Sequence, residues 1–337
     1  MDKKTVAVAI LIITVIVTVT GILYLRPAEQ PQIAEPEKLT LGVEKSLLPS
    51  AVWVARHNGY FKKEGIDISI KEFDSGKASF NAMLNNEGIH ISTVAPTPIM
   101  FNSFKRKDFS IFATFVHSVD DVKIIARKDK GVITAKDLRG RKIGTPSGTT
   151  GQFFVNSFLT FHGIPLSQVS IVDISPSHLP AALANNDVDA IVIWEPHAYK
   201  ARQLLRENAA RVPSSEIYWE TFNFMVMNDF AKNRPRAIRK FLRAISRATL
   251  FINKHRQKAQ AIVAERLKLD KAIVTALWDD FVFELSLNQE LVVTLEVEAR
   301  WAINERLTGK KEVPNYLDYI YLDALKEINP QSIKIFH

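Results

Sequence analysis

An α/β fold in two lobes is predicted by three features of this sequence: strands alternating with helices from residue 39 to residue 194, a length of 337 residues, and a final third that reads as helix. Strand–helix alternation is the pattern of sheets covered by helices. A chain of 337 residues exceeds the size at which a single hydrophobic core stops growing, so two lobes are expected.

The first element is apolar and terminal. Asp2, Lys3 and Lys4 precede an uncharged run over 5–25, dense in Val and Ile, which Arg26 and Pro27 close. About 20 apolar residues cross a bilayer as a helix. Residues 1–26 therefore read as a membrane anchor or signal segment, with the two lysines inside and the chain from Pro27 onward exported. Val19, Thr20 and Gly21 make a weak cleavage site, which favours an uncleaved anchor. Residues 27–37 hold three prolines and no apolar period, and read as a linker.

The body begins near Lys38. Residues 39–43 alternate as a strand does, and 51–60 read as a helix entered at Pro49 and Ser50 and left at Asn58 and Gly59. Strands over 66–73, 89–94 and 110–117 then alternate with helices over 77–85 and 98–104, predicting a largely parallel sheet. A second set follows: strand 123–127, a capped helical turn over 134–138, strand 142–145, helix 152–161, strand 169–174, helix 179–185 and strand 190–194. Loop and strand return over 222–227. From 234 to 325 the spacing is almost wholly helical, with helices over 236–255, 257–267, 272–283 and 289–307.

Composition excludes several classes of function. The net charge is +8, but the basic residues are dispersed apart from 105–107 and 234–243. No aromatics interleave with them, so the basic surface is a solvated one, and no nucleic-acid partner is expected. There is no cysteine, which removes disulfides, thiol catalysis, thiolate metal sites and a lipid-acceptor cysteine together. The eight His residues are scattered without an HxxxH pair, and no GxSxG elbow occurs. No metal, cofactor or catalytic role is expected.

Ligands of open α/β sheets sit beyond the carboxyl ends of strands. Three such loops are rich in small and hydroxylated residues: 44–50 with Ser46, 95–98 with Thr97, and 146–151 with Ser147, Gly148, Thr149 and Thr150. In the third, Gly148 permits close backbone approach, and the helix that follows offers free N–H groups to a polar or anionic ligand. A helix cap without a ligand is the alternative. Trp194 and Glu195 end a strand, where the indole can wall a pocket and the carboxylate can accept from an amine or amidine. The alternative makes Trp194 core and Glu195 a cap. Trp53, at the start of the first helix, is a second aromatic candidate.

Three ordered motifs carry a family resemblance. The first spans 49–66 and includes Ala51, Gly59, Tyr60, Phe61, Glu64 and Gly65. The second spans 137–146, and the third, with Asp189, Trp194, Glu195, Pro196 and His197, spans 188–197. Over about residues 38–325 the chain resembles the nitrate/sulfonate/taurine and thiamine-pyrimidine group of substrate-binding proteins of ABC importers. The resemblance implies a two-lobed periplasmic-binding-protein type II fold with an interlobe cleft and a helical C-terminal tail. Lobe 1 would be 38–122 and 226–337, and lobe 2 would be 123–225, hinged near 122–125 and 222–226. Ser46, Thr97, Ser147, Thr149, Thr150 and Glu195 would then face one cleft.

The implied partners are a small-molecule ligand, an ABC permease and its ATPase, with the membrane reached through the N-terminal segment. The implied location is periplasmic or otherwise extracytoplasmic, anchored in the cytoplasmic membrane by residues 5–25. A monomer is expected, because clamp motion needs free lobes. The implied solute is small and polar, either sulfonate-, taurine- or nitrate-like or an aminopyrimidine, and Glu195 favours one with a cationic or donor part. A membrane-tethered sensor or accessory subunit is the alternative. An enzyme like the thiamine-pyrimidine synthases is disfavoured, because those use a cysteine-rich segment in their chemistry.

Overall fold

The alternation at the start of the body becomes strand β1 (Glu37–Glu44) and strand β2 (Ile66–Phe73), paired in parallel with Leu39 opposite Ile68. β2 lies at the sheet edge and buries only alternate positions, whereas the second half of enclosed β1 is buried throughout. Between them the single helix expected over 51–60 is two, Ser50–His57 and Tyr60–Lys63. Gly59, at φ 68°, breaks it, since a left-handed residue cannot continue an α-helix and glycine adopts that conformation freely.

Asp2, residues 35–214 and residues 218–336 are described in this computed structural model. The apolar segment over 5–25 and most of the linker lie outside the described residues. Among the described residues, no helix is long and apolar enough to cross a membrane. Residues 1–36 and 37–337 are separate units.

From β2 the chain continues through the helix Gly76–Leu84, β3 (Ile91–Val94), the helix Pro96–Ser103 and β4 (Phe109–Ser118). It then leaves for a second sheet, built from β5 (Lys123–Arg127), β6 (Lys142–Thr145), β7 (Ser170–Asp173), β8 (Ala190–Ile193) and β9 (Ala209–Val212), in the order β7-β6-β8-β5-β9. After Val212 it returns as β10 (Glu220–Met227), which joins β11 (Phe281–Asn288) and β12 (Ile333–Lys334) in a seven-stranded sheet ordered β12-β11-β4-β10-β3-β1-β2.

Three expectations differ from this arrangement. The sheets are mixed rather than largely parallel: β10 is antiparallel to β3 and β4, and β5 is antiparallel to β8 and β9. A parallel neighbour needs a covering crossover within its own sheet, and a strand that arrives from the other sheet has none. Residues 220–225, assigned with the second lobe, stand in the first sheet as part of β10, so the return crossing falls between Val212 and Glu220. The helix expected over 272–283 stops at Leu277, and β11 begins at Phe281. Phe281, Phe283, Leu285 and Leu287 alternate, and the pairing of Phe283 with Val116 of β4 overrides the helical spacing.

Each sheet has its own packing. In the first, Phe112, Phe115, Phe224 and Phe241 stack in a contiguous group, with the Phe115 and Phe224 rings 4.1 Å apart and Phe224 edge-on to Phe241 at 4.9 Å. The second sheet is covered on both faces. Ile124, Ile143 and Val192 pack on Phe154 and Phe158 of the helix Thr150–Phe161, while Ile125, Ile191 and Ile193 pack on the helices Leu179–Ala184 and His197–Leu205. The basic residues of the helix Pro235–Lys254 are largely paired: Arg243 and Arg247 flank Glu64 at 2.7 and 3.0 Å, and Arg239 meets Glu327. Part of that cluster is thereby neutralised.

Phe241 is fully buried against Phe61, Phe112 and Phe224. Phe241→Ala is expected to cost about 3–5 kcal/mol of unfolding free energy, read by urea denaturation. A loss below about 1 kcal/mol would show that this aromatic group does not carry the core.

Candidate functional site

The two sheets turn strand ends toward each other, and the loops leaving β1, β3, β6 and β8 meet there with both inter-sheet crossings. They enclose an inner cavity of about 20 Å³, space for roughly one water. Glu44, Ser75, Gly76, Lys77, Ala95, Pro98, Glu220 and Phe222 line it from the first sheet and Thr149, Thr150 and Trp194 from the second, while Asp121 comes from the first crossing. Glu44 and Trp194 also open onto an outer chamber of about 390 Å³. Phe73, Tyr199, Leu267 and Leu269 make that chamber mainly apolar, with Asp74, His197, Lys45 and Lys200 among its polar groups.

The acids of the inner cavity are buried and incompletely bonded. Glu44 is 3% exposed, Asp121 2% and Glu220 5%. Glu44 Oε2 accepts the Gly76 N–H at 2.9 Å, and Asp121 Oδ1 accepts the Glu195 N–H at 3.4 Å. Among the described residues, Glu44 Oε1, Asp121 Oδ2 and Glu220 Oε2 accept no hydrogen bond. Burial raises the Glu44 pKa to about 7, against the lowering effect of Ser46 and the Gly76 N–H. Burial likewise raises Glu220 to about 8, although the Thr150 hydroxyl draws it back and Glu44 adds to the rise. Asp121 is pushed well above the carboxylate range by burial first and then by the charge of Glu220.

Lys77 spans the gap. Its Nζ donates to the Ser147 carbonyl at 2.7 Å, linking the helix Gly76–Leu84 of the first sheet to the loop after β6. Burial lowers its pKa, partly against the charge of Asp173. On the opposite side of the mouth the Ser177 hydroxyl donates to Asp74 at 3.1 Å. These two contacts hold the loops of the two sheets together.

The predicted residues divide by position. Thr149, Thr150 and Trp194 line the inner cavity. The Thr149 hydroxyl donates to the Pro146 carbonyl at 2.7 Å, which shapes the turn, and Thr149 makes no side-chain cap. Ser147 and Gly148 form the rim through their backbone: the Ser147 N–H donates to Asp173 and the Gly148 N–H to Gln152. Gly148 has φ 67°, and a Cβ there would lie 2.8 Å from Lys77 Nζ, so the bridging lysine depends on this glycine.

Ser46 and Thr97 stand one layer back. Ser46 accepts from the Leu48 N–H and, through its carbonyl, from the Trp53 indole. Thr97 donates to Glu298 at 3.1 Å, and Tyr218 donates to the same oxygen at 2.8 Å. Trp53 lies in a separate depression with Arg56 and His57, stacked under the Arg266 guanidinium at 4.6 Å. Its helix turns that face away from the second sheet.

Glu195 does not face the ligand space. It is fully buried, accepts from Arg202 at 2.9 Å and from the Tyr199 N–H at 2.7 Å, and lies 3.5 Å from Lys123 Nζ. Both of its oxygens have partners within the protein, and it does not line the cavity as expected. Glu44, Lys77, Asp121 and Glu220 were not singled out from the sequence. Only Glu44 had a local signal, an acid closing a strand that is otherwise apolar at alternate positions. Asp121 and Glu220 are 99 residues apart and meet because the first crossing and the start of β10 pass one point.

Two mixed sheets joined by two crossings, with a polar cavity at their facing strand ends, define the periplasmic-binding-protein type II fold. The alkanesulfonate-binding protein SsuA from Xanthomonas axonopodis pv. citri, bound to MOPS, superposes with a TM-score of 0.75 at 19% identity over 86% of this chain and 99% of its own. The NMT1/THI5-like family model matches residues 50–259, and the chain belongs to that family. A putative aliphatic sulfonates-binding protein of Bacillus subtilis (strain 168) is 25% identical over 245 residues, 71% of this chain and 72% of its own. The taurine-binding periplasmic protein of Escherichia coli (strain K12) is 22% identical over 63% of this chain and 65% of its own. The chain is a binding protein of this kind and not an enzyme.

The raised acids give a pH signature. Glu220 binds a proton in the folded state up to about pH 8 but in the unfolded state only to about 4.5, so its contribution to stability is full below about 4.5 and is lost as pH rises through about 8. Glu220→Gln removes that loss. Urea denaturation should find variant and wild type similar near about pH 5 and the variant more stable by on the order of 3 kcal/mol near about pH 8.5. Parallel pH profiles would mean that Glu220 titrates normally.

Proposed function

We propose that this chain is the extracytoplasmic solute-binding component of an ABC importer. It captures a small polar organic solute between two lobes and delivers it to a permease and its ATPase, held at the cytoplasmic membrane by residues 5–25. The lobes are the bodies built on the two sheets, hinged at the crossings after Ser118 and after Val212. Family membership and the sulfonate- and taurine-binding relatives support the reading. The observation that carries it is the convergence of loops from both sheets on one polar cavity, bridged by the Lys77–Ser147 and Asp74–Ser177 hydrogen bonds.

A cavity with space for one water admits a solute only if the lobes part, which is the hinge motion such clamps use. The bridging contacts then set the balance between open and closed forms, and bound solute shifts it toward closed.

A thermal-shift screen of the full chain in detergent, against sulfonates, nitrate, taurine, aminopyrimidines and small carboxylates, tests the binding role. A bound solute at 100 times its Kd adds about 2.7 kcal/mol of stability. Silence across every class would remove the support for import of these solutes.

Closure has its own test, since the chain has no cysteine and introduced thiols label cleanly. With spin labels on Lys62→Cys and Asp187→Cys, one on each lobe, Lys77→Ala should lengthen and broaden the inter-label distances of the free protein. Identical distributions in the presence and absence of Lys77 would show that its bond to Ser147 holds no lobe.

A further inference from the structure

The charge of the inner cavity points away from the anions named for the relatives. Three carboxylates from three separate places, the end of β1, the first crossing and the start of β10, converge on one small space, and each keeps a buried oxygen with no hydrogen-bond partner among the described residues. A buried acceptor left unpaired is costly, and a site that retains three is arranged for donors that arrive with a ligand.

One cation lines the inner cavity against these three acids: Lys77, whose Nζ donates to the Ser147 carbonyl. Lys123 Nζ is held by the Asp120 carbonyl and Asp280, both at 2.7 Å, and by Glu195. Lys45 and Lys200 belong to the outer chamber and are solvent-exposed, where solvent and salt weaken their pull on a buried anion. A sulfonate in the inner cavity would be buried against acids, which is unfavourable. A metal ion is not the answer either: among the described residues no three Asp, Glu or His side chains stand where they could hold one. The free oxygens suit an organic group with donors in several directions. Beside them Trp194 walls both the inner cavity and the apolar outer chamber, where it can face a cation and a hydrocarbon body together.

We propose that the solute of this cleft is an organic cation, an ammonium or amidinium on an apolar body, its donors taken by Glu44, Asp121 and Glu220 and its body lying against Phe73, Trp194 and Leu267. The inference rests on the solute-binding reading of the same cleft and names the class of solute. The carboxylates ionise to receive the cation, so binding releases protons when the free site is protonated, and affinity rises with pH. Asp74, Lys77, Lys123 and Glu195 also face these acids from the neighbouring elements. Lys123 favours ionisation of Asp121 and Glu195 opposes it, while Asp74 opposes that of Glu44.

Calorimetric titration of the full chain in detergent uses probes matched in body and opposite in head: benzamidine and 2-phenylethylammonium against benzenesulfonate and 2-phenylethanesulfonate. The cations should bind at least about tenfold more tightly than the matched sulfonates, and Glu44→Gln and Glu220→Gln should each weaken them by about tenfold or more. Glu64→Gln is the control: it removes a largely buried acid that pairs with Arg243 and Arg247 and does not line the cavity, and should change affinity by less than about twofold. Wild-type affinity should rise between about pH 6 and about pH 8.5, with proton release read from the buffer dependence of the heat, a measurement that needs no variant to fold.

Sulfonates binding while the cations do not would overturn the cationic solute and leave the solute-binding role intact. Cations binding with no response to Glu44→Gln and Glu220→Gln would overturn it as well. If none of the four probes binds, the cationic solute is again overturned. The solute-binding role is then decided separately, by whether native mass spectrometry of the purified chain finds a small molecule retained.

Discussion

The ammonium of Lys123 is buried where the chain first passes from one sheet to the other, and the arrangement of the cleft depends on how it is satisfied. It is the first residue of β5, its Nζ donates to Asp280 just ahead of β11 in the first sheet, and it lies 3.5 Å from Glu195 just after β8 in the second. Removing a buried charge from water costs several kcal/mol, and such a group is tolerated only when it is paired and bonded in good geometry. Here the pairing draws together three points that are remote in sequence. The Asp120 carbonyl completes the set, which places Asp121 beside it with a carboxylate turned into the cavity.

This network explains why the acid expected to touch the solute does not. Glu195 stands at a strand end, where ligands of α/β folds are found, and its sequence neighbour Trp194 does line the cavity. Its side chain, however, is recruited by Arg202 and the Tyr199 N–H on the helix that follows, as well as by Lys123. Each oxygen of that carboxylate is held by the protein, and the group does not reach the cavity wall. The cavity is lined instead by acids that the same network brings close without satisfying.

The fold was legible because most elements are specified locally. β2, β5 and β6 occupy the ranges their patterns predict, and the 134–138 turn is closed by the Thr134–Asp137 capping box. The misreadings arose where tertiary pairing competes with local spacing. Phe281 to Leu287 contains a two-residue alternation inside a region of helical composition, and the neighbouring β4 decides between them. The site was legible only in part, and for the same reason. Thr149, Thr150 and Trp194 sit on loops recognisable from the strands that precede them. Glu44, Asp121 and Glu220 acquire meaning from a juxtaposition of β1 with the first crossing and the start of β10, which no local window of sequence contains.

Likeness of fold and identity of ligand are separable here. Loops at the facing strand ends are what the sulfonate-binding SsuA fold supplies, and a superposition at 19% identity carries over the architecture without the side chains that fill it. What selects a solute is the charge presented inside the closed cleft, where low polarity magnifies each interaction. In this chain the inner wall is acidic, the nearest ammonium groups are bonded to the protein, and the exposed lysines stand in the outer chamber. The shared fold thus carries an acidic inner wall in this chain. Glu44 and Glu220 occupy ends of strands whose backbone positions the pairing of the sheet fixes whatever side chain they bear.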